Sequence, residues 1–310
     1  MVFTEQDVPD LTGRVVVVTG ASSGLGLENT RVLARRGAHV ILATRDPERT
    51  ALATTRIRRA VPHADLEHLP LDLADLSSVR GAVAALEAQH AHVDTVIANA
   101  GLMGTPARTT VDGFELQMGV NHLGHAALIA GLLPLLSAAP APRIVVVTSE
   151  VARVGHVDPA TLGRLTDPHR PWRAYAASKL ANLLYAFELA RRLERVGSAA
   201  VVATAHPGYA ATELQTRGTA LAGGRAARLR SRVLGGITTL VAQSAAQGAL
   251  PQLRAATEPG VRSGSSYGPA RGMRGAPVEV VPPSRALDTS LAGALFDRTE
   301  ELTSVTHGLA

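Results

Sequence analysis

Tyr175 and Lys179 are the residues whose types and spacing most directly indicate chemistry. They stand four positions apart at the start of a segment with helical periodicity, Tyr-Ala-Ala-Ser-Lys, so their side chains share one face of the predicted helix. A free phenol has a pKa near 10 and is a poor acid–base catalyst at neutral pH, whereas a nearby ammonium group lowers that pKa. The pair therefore predicts acid–base catalysis by the tyrosine, with the lysine tuning it.

The use of lysine in this chain supports that interpretation. Lys179 is the only lysine among 31 basic residues, and all the others are arginine. Arginine would also hold a charge, but its bulky fork is not a readily tuned proton-relay partner. An ordinary surface lysine on a helix is the alternative, and the exclusive use of arginine elsewhere argues against it.

A glycine-rich turn follows the first predicted strand. It reads Thr19-Gly-Ala-Ser-Ser-Gly-Leu-Gly26, with Val15–Val18 before it and a helix-length segment after it. Such a turn lets backbone N–H groups approach a pyrophosphate, and the helix N-terminus adds partial positive charge. A tight turn without a ligand is the alternative, but the strand before and the helix after favour dinucleotide binding.

The rest of the chain alternates Val- and Ile-rich runs with longer amphipathic stretches. The predicted strands are Arg14–Thr19, His39–Thr44, Asp65–Pro70, Thr95–Asn99, Arg143–Thr148 and Ala199–His206. The predicted helices are Gly24–Arg36, Pro47–Val61, Leu76–His90, Gly113–Leu136 and Tyr175–Val196. Continuous apolar strands separated by helices predict an α/β fold with a parallel sheet buried on both faces. The pattern loosens from Thr212 onward, and Ser263–Pro277, rich in Gly, Ser, Pro and Arg, is predicted to be a loop.

Composition excludes several classes of site. The 310 residues contain no cysteine, which removes disulfides, thiolate nucleophiles and cysteine metal sites and fits a cytoplasmic protein, as we expect. The first ten residues lack the features of a signal peptide. The apolar stretch Ala126–Pro142 is short for a bilayer span and contains prolines, so we interpret it as a buried interface helix.

Arginine gives the chain a formal net charge of +5, and the densest basic run is 224–232. This run could contact an anion or a membrane, but a solvated helix face is favoured, because charge runs usually face solvent. No aromatic residues interleave with it, so we expect no nucleic-acid partner. We likewise expect no membrane association.

The spacing T-G-x-x-x-G-x-G, together with Y-x-x-x-K, resembles the short-chain dehydrogenase/reductase family outside its extended branch. A-T-R-D-P-E-R, Y-A-A-S-K-L-A-N and H-P-G-Y resemble its retinol-dehydrogenase-like and protochlorophyllide-reductase-like members. The resemblance implies one Rossmann-type domain over residues 1–310, a doubly wound parallel sheet of about seven strands with helices on both faces. Excursions at about 150–174 and 209–235 would form the substrate pocket. A homodimer or homotetramer is also implied, with Gly113–Leu136 and Tyr175–Val196 at its interface.

The resemblance further implies a catalytic tetrad. Tyr175 exchanges a proton with the substrate oxygen, Ser149 orients that oxygen, and Lys179 binds the nicotinamide ribose. Asn121 holds a water that joins the lysine to solvent. Glu150, directly after the serine, departs from the family pattern.

Cofactor contacts are implied at the predicted strand ends, with Asp72-Leu73 at the adenine, Asn99-Ala-Gly101 at the ribose and Pro207-Gly208 at the nicotinamide. The full predicted set is Gly20, Ser22, Ser23, Gly24, Leu25, Gly26, Arg45, Asp72, Leu73, Asn99, Ala100, Gly101, Tyr175, Lys179, Pro207, Gly208 and Thr212.

The end of the second strand indicates which cofactor is used. An acid there binds the ribose 2′-hydroxyl of NAD, whereas an arginine favours the 2′-phosphate of NADP. This chain has Thr44 followed by Arg45, whose charged fork suits a phosphate. Pairing of Arg45 with Asp46 or Glu48 is the alternative. We predict NADP(H) over NAD(H), with Ser22 and Ser23 as further phosphate donors.

The expected activity is reversible hydride transfer between nicotinamide and a small apolar carbonyl or alcohol substrate, with ketone or aldehyde reduction favoured. An NADP(H)-binding sensor without turnover is one alternative, and a peripheral membrane dehydrogenase of lipids or retinoids is another. We predict no metal site, because His122 and His125 lack a third ligand at metal spacing and are interpreted as packing or surface residues.

Overall fold

A computed structural model describes residues 2–208 and 243–309. Within them, eight strands form one sheet in the order β3-β2-β1-β4-β5-β6-β7-β8. The strands are β1 (Val15–Thr19), β2 (His39–Thr44), β3 (Leu66–Pro70), β4 (Thr95–Ala98), β5 (Arg143–Val147), β6 (Val201–Ala205), β7 (Ser266–Pro269) and β8 (Pro277–Glu279). All neighbours pair in parallel except β7 and β8.

Helices connect the strands and cover both faces of the sheet. The described helices are α1 (Gly24–Arg35), α2 (Pro47–Ala60), α3 (Leu76–Gln89), α4 (Leu116–Ser137), α5 (Pro171–Arg195), α6 (Ala245–Thr257) and α7 (Thr289–Thr303). Local sequence signals fix several starts. Asp46 caps α2 by accepting from the N–H of Arg49 at 3.0 Å, just before Pro47 at the first helical position.

Alternation along β1 explains why both faces of the sheet are buried. Val17 belongs to the apolar cluster under α3, α4, α5 and α7, whereas Val16 and Val18 belong to the cluster that includes residues of α1, α2 and α6. Successive strand residues point to opposite faces, so a strand of consecutive valines supplies both clusters. The predicted doubly wound parallel sheet with helices on both faces is confirmed, with eight described strands where about seven were expected.

The prediction of a loop over Ser263–Pro277 is wrong in part. Ser266–Pro269 forms β7, in which Ser266 pairs with Thr204 and Tyr267 with Ala205 of β6. Gly, Ser and Pro have low intrinsic strand preference, but tertiary context overrides it, because β7 lies between two partners and is buried along its whole length. Gly268 is needed there, since a Cβ atom would lie 2.1 Å from Nε2 of His206.

Among the described residues, α4 alone is long and apolar enough to cross a membrane by length and composition, with a mean hydropathy of 1.3. However, 89% of that window is buried inside the protein, and α7 covers α5 beside it. Phe296 of α7 stacks on Tyr185 of α5, with ring centroids 5.4 Å apart. The interface between copies was predicted from the apolar composition of α4 and α5. Contacts within one chain account for that composition, so the homo-oligomer stays a prediction.

Candidate active site

The glycine-rich turn links β1 to α1 through close backbone contacts. Gly20 has φ +67°, a left-handed conformation that favours glycine. A Cβ atom on Gly26 would lie 2.4 Å from the carbonyl oxygen of Gly20, so only glycine fits at this helix start. Ser22 and Leu25 are half-buried in the turn, and Ser23 stands at the N-cap of α1 with extended backbone. Gly20 and Gly26 carry no side chain, so the backbone of the turn and of the start of α1 is open to the approach of a phosphate.

Thr19, the last residue of β1, is a hub that the sequence did not reveal. Its hydroxyl oxygen accepts from the N–H groups of Asn99 and Ala100, both at 2.9 Å, and the side chain of Asn99 donates to the Thr19 carbonyl at 2.9 Å. These bonds fix the predicted ribose-binding segment after β4 against the end of β1. No local sequence signal marks them, because the partners are 80 and 81 residues apart in the chain.

His125 of α4 completes this hub. Its Nε2 lies 2.8 Å from the Thr19 hydroxyl, and its Nδ1 lies 3.2 Å from the carbonyl oxygen of Asn121. Burial lowers the pKa of His125 to about 3, so the ring is neutral. A neutral ring that donates from Nδ1 to Asn121 accepts at Nε2 from Thr19. Of the packing and surface roles that the sequence left open, His125 therefore has the interior packing role, as does His122, which bonds Thr299 at 3.0 Å.

Asn121 is held rigidly in the interior. It lies in a π-helical turn, Gly119–Leu123, within α4. Its Oδ1 accepts from the N–H of Leu102 at 2.7 Å, and its Nδ2 donates to the Leu102 carbonyl and the Ser178 hydroxyl, both at 2.9 Å. Both polar atoms of the side-chain amide thus have protein partners, and the predicted role of Asn121 in holding a relay water stays a prediction.

Lys179 and Tyr175 lie on one face of α5, as their spacing predicts. Nζ of Lys179 is 6.0 Å from the centroid of the Tyr175 ring and donates to the carbonyl of Val147, at the end of β5, at 3.0 Å. Both side chains are almost completely buried. The oxygen of Val147 also accepts from Asn182 at 3.1 Å, which ties β5 to α5 a second time.

Burial governs the protonation of both groups. It lowers the pKa of Lys179 from 10.5 to about 8 and raises the pKa of Tyr175 above its ordinary value. The group that opposes this increase in the pKa of Tyr175 is the hydroxyl of Ser149, through a hydrogen bond. Burial thus outweighs the hydrogen bond, and the pKa of Tyr175 lies above its ordinary value. The expectation that Lys179 favours the phenolate stays a prediction.

Ser149 bonds Tyr175 because the end of β5 packs against the buried face of α5. It caps the short 3₁₀-helix Glu150–Val154, and its hydroxyl accepts from the N–H of Val151 at 3.4 Å. The hydroxyl of Thr148 donates to the backbone carbonyl of Lys179 at 2.9 Å, which pins the strand end to the helix. Ser149, Tyr175 and Lys179 are thus brought together by one strand and one helix.

Glu150, which departs from the family pattern, has a structural explanation. It forms an ion pair with Arg153, and its carboxylate lies 3.6 Å from Nε2 of His206, directly after β6. Arg153 in turn donates to the carbonyl of Val281 at 3.2 Å. Glu150 therefore helps to fasten the segment after Ser149 to the ends of two other strands.

Arg45 lies at the end of β2 with 73% of its side chain exposed. Its guanidinium is 3.5 Å from the carboxylate of Asp72, after β3, so its partner is neither Asp46 nor Glu48, the two acids considered from the sequence. Asp46 instead caps α2, and the hydroxyl of the buried Thr44 bonds that of Thr50. The last residue of β2 is Thr44, so no carboxylate at this position repels a phosphate.

The predicted nicotinamide segment follows β6. Gly208 has φ +64°, and a Cβ atom there would lie 2.4 Å from the carbonyl oxygen of Met273. The carbonyl of Pro207 accepts from the side chain of Gln243. Thr212, the predicted excursion 209–235 and the basic run 224–232 lie outside the described residues.

The predicted residues within the described ranges gather at one edge of the sheet. They lie at the carboxyl ends of β1 to β6, around the point between β1 and β4 where the strand order reverses. Leu73 is buried at this edge, and Asp72 accepts from the N–H of Ala74 at 3.0 Å. A Cβ atom on Gly101 would lie 3.2 Å from Oδ1 of Asn121 and 3.7 Å from Nζ of Lys179. This bare backbone beside a buried ammonium fits the nicotinamide half of a dinucleotide.

Comparison with known proteins identifies relatives of the chain. The sequence model of a family described as short chain dehydrogenase matches residues 14–220. Human retinol dehydrogenase 13 is 43% identical over 204 residues, 66% of this chain and 61% of that protein. Mouse polyprenol dehydrogenase is 39% identical over 262 residues, 83% of this chain and 75% of that protein. The chain thus spans less than two thirds of the length of the human relative.

Solved structures show the same architecture. A putative uncharacterised protein from Mycobacterium paratuberculosis has a TM-score of 0.80 and 38% identity, with 98% of each chain covered. A short chain dehydrogenase from Shigella flexneri complexed with NADP has a TM-score of 0.64 and 24% identity, with 84% of this chain and 98% of that chain covered. The second likeness concerns the fold alone.

Proposed function

The chain belongs to the short-chain dehydrogenase family, and we propose that it is an NADP(H)-dependent oxidoreductase acting on apolar carbonyl or alcohol substrates. The observation that carries this proposal is the pair of buried residues Tyr175 and Lys179, with the half-buried Ser149 bonded to Tyr175, beside the glycine-lined edge of the sheet. A proton donor, a hydroxyl that bonds it and an ammonium converge where the fold binds a nicotinamide.

Tyr175 gives a proton to the carbonyl oxygen in the direction of reduction and takes it back in the direction of oxidation. Ser149, which bonds Tyr175, holds the same oxygen and so orients the carbonyl carbon. The nicotinamide cofactor, when bound, supplies or accepts the hydride. Because burial raises the pKa of Tyr175, the phenol is protonated at neutral pH, which is the form that reduction requires.

Lys179 acts through its ammonium group. One of its N–H bonds is committed to Val147, which leaves two donors for the nicotinamide ribose and for a proton path. Its pKa of about 8 keeps most of the population charged at neutral pH, and that charge stabilises the phenolate as it forms. The proposed role of Asn121 is to hold the π-helical turn and the Leu102 backbone in place beside this ammonium.

Arg45 supports the choice of NADP(H). Its guanidinium is exposed and lies 3.5 Å from the carboxylate of Asp72, which holds it near the adenosine end of the proposed site. An arginine fork can donate two charge-assisted hydrogen bonds to a phosphate. Position 44 is a threonine, so no carboxylate there accepts a hydrogen bond from the 2′-hydroxyl of NAD.

The substrate entrance is apolar. Trp172, one turn before Tyr175 on α5, is 61% exposed and meets the Tyr175 ring edge-on at 6.3 Å. Val154, at the end of the 3₁₀-helix that begins after Ser149, is exposed as well. An apolar rim around a buried proton donor favours a hydrophobic carbonyl over a charged or sugar-like one.

A second candidate is a dehydrogenase of long isoprenoid alcohols, and the names of the relatives favour it. They include retinol dehydrogenases and a polyprenol dehydrogenase. This candidate uses the same catalytic group and differs in the length of the substrate and the favoured direction.

A substrate panel tests both candidates. The protein is incubated with NADPH or NADH and with short ketones, aromatic aldehydes, retinal or a polyprenal, and the absorbance of the reduced nicotinamide is followed. The matching alcohols are tested with NADP and NAD. We expect turnover with NADPH to exceed that with NADH by about tenfold or more at limiting cofactor. Turnover confined to retinal and polyprenal would select the second candidate.

Binding of NADPH without turnover of any carbonyl or alcohol would contradict both candidates and favour a sensor. Cofactor binding is followed separately by quenching of nicotinamide fluorescence, so that a failure of binding is distinguished from a failure of chemistry. Equal activity with NADPH and NADH would contradict the role of Arg45 while leaving the oxidoreductase proposal in place.

A further inference from the structure

We propose that the chain binds a zinc ion through His39, Glu67 and His90, at the edge of the sheet opposite the candidate active site. The sequence prediction of no metal site considered only His122 and His125. The three residues of this cluster lie 28 and 23 positions apart in the chain, so no local ligand motif marks them. The fold brings them together, and their imidazole and carboxylate groups are the ligands that zinc prefers.

Three elements converge on this cluster. His39 begins β2, Glu67 is the second residue of β3, and His90 caps the end of α3. His39 lies two residues before Ile41, and His90 lies four residues after Leu86; Ile41 and Leu86 share one apolar cluster. The alternation of the strand and the periodicity of the helix therefore aim both imidazoles at the same face of the sheet.

The ligand atoms surround one point. Nε2 of His39 is 3.0 Å from Oε2 of Glu67, and Nε2 of His90 is 3.1 Å from the same oxygen. All three atoms lie within 4.8 Å of one another. A tetrahedral zinc ion with bonds of 2.0–2.2 Å separates its ligand atoms by about 3.3–3.6 Å, so the two distances between histidine and glutamate need to open by only a few tenths of an ångström.

Asp65 borders the cluster on the side of His39. Its carboxylate lies 3.0 Å from Nδ1 of His39, so in the metal-bound state Nδ1 would donate its N–H to Asp65 while Nε2 presents its lone pair to the ion.

The neighbouring carboxylate suits a metal-bound histidine. A metal-bound histidine commonly donates its other N–H to a carboxylate, which fixes the tautomer and makes the ring a stronger ligand. Asp65 and His39 have this relation. The side chains of the three ligands are half-buried, which leaves a fourth position open to water. A bound ion would cross-link β2, β3 and the end of α3.

Calorimetric titration of the tag-free protein with zinc chloride tests the site. We expect saturable binding of about one equivalent, no comparable binding of Mg²⁺, which prefers six oxygen ligands, and a higher melting temperature with zinc. His39→Ala and His90→Ala should abolish this binding. Asp65→Asn should weaken it by about 10–100-fold, since it removes only the partner that orients His39.

His68→Ala is the matched control, because His68 is the neighbour of Glu67 on β3 and its exposed side chain points to the other face. Zinc binding should survive this change. Glu67→Gln, which keeps the side-chain shape, covers the case in which a histidine variant fails to fold. Cobalt(II) should give the intense visible absorption of a four-coordinate site in the parent protein and lose it in Glu67→Gln.

Absence of saturable zinc binding, or binding unchanged in His39→Ala, His90→Ala and Glu67→Gln, would overturn the proposal. NADPH binding should be unaffected by zinc and by these variants, because the cluster lies at the amino ends of the strands. The zinc titration requires no turnover, so its outcome is independent of the proposed oxidoreductase activity.

Discussion

Replacing Lys179 with methionine should stabilise the protein while removing its activity. The ammonium group is 3% exposed, and its hydrogen bond at 3.0 Å goes to the carbonyl of Val147. Methionine fills a similar volume with an unbranched apolar chain. The Val147 carbonyl keeps a partner in the variant, because Asn182 also donates to it at 3.1 Å.

The magnitude follows from the burial of the charge. A fall in the pKa of Lys179 from 10.5 to about 8 corresponds to about 3 kcal/mol against the charged form, at about 1.4 kcal/mol for each pH unit. Loss of the charged hydrogen bond to Val147 offsets about half of that gain. We therefore expect the free energy of unfolding of Lys179→Met to exceed that of the parent by about 1–2 kcal/mol near neutral pH.

The advantage should depend on pH in a defined direction. Lysine in the unfolded chain titrates near 10.5 and Lys179 in the folded protein has a pKa of about 8, so the unfolded state binds more protons between these values. The stability contribution of this group in the parent therefore rises with pH in this window. The advantage of Lys179→Met is full below about pH 8 and disappears toward pH 10.5.

Urea unfolding of both proteins at several pH values measures this difference. Lys179→Arg is the control, because a guanidinium stays charged throughout. It should be no more stable than the parent near neutral pH, and its curve, like that of Lys179→Met, should lack the parent's rise between about pH 8 and 10.5. Lys179→Met should also lose turnover. Stability curves that stay parallel across the window, or a variant less stable than the parent at neutral pH, would refute the account of a desolvated ammonium.

Three further changes probe the cofactor site. Arg45→Ala should weaken NADPH binding by about 10–100-fold and leave NADH binding nearly unchanged in fluorescence titrations, and equal loss for both would contradict the phosphate contact. Gly26→Ala should weaken both cofactors alike, because its Cβ would lie 2.4 Å from the carbonyl of Gly20; tight binding by this variant would contradict the close approach at the helix start. Thr19→Val should lower the free energy of unfolding by about 1–3 kcal/mol in urea, since two part-buried N–H groups lose their acceptor, and a negligible loss would contradict the role of the hub.

The sequence was informative where the chemistry follows from repeating local rules. Short runs of five to eight residues, most of them rich in Val and Ile, predict β1 to β6 close to their observed bounds. Parallel strands place their carboxyl ends on one edge of the sheet. The helical spacing of Tyr175 and Lys179 correctly puts both on one face of α5. The family resemblance drawn from these motifs is confirmed by the comparisons.

The sequence was uninformative where a contact joins distant segments. Thr19 and His125 are 106 residues apart, and neither stands in a pattern that indicates the other. The strand β7 is stabilised by its neighbours and not by its composition. The pKa of Tyr175 could not be predicted from spacing, because it depends on burial, which is a property of the whole fold.

The central claim is that Tyr175 donates the proton, and Tyr175→Phe tests it most directly. The variant removes one hydroxyl from a buried ring and leaves the glycine-lined edge intact. NADPH oxidation is measured with a carbonyl that the parent reduces, alongside NADPH binding by fluorescence. We expect the rate to fall by about 10²-fold or more with binding nearly unchanged. A variant that binds NADPH and keeps more than about a tenth of the parent rate would contradict the mechanism.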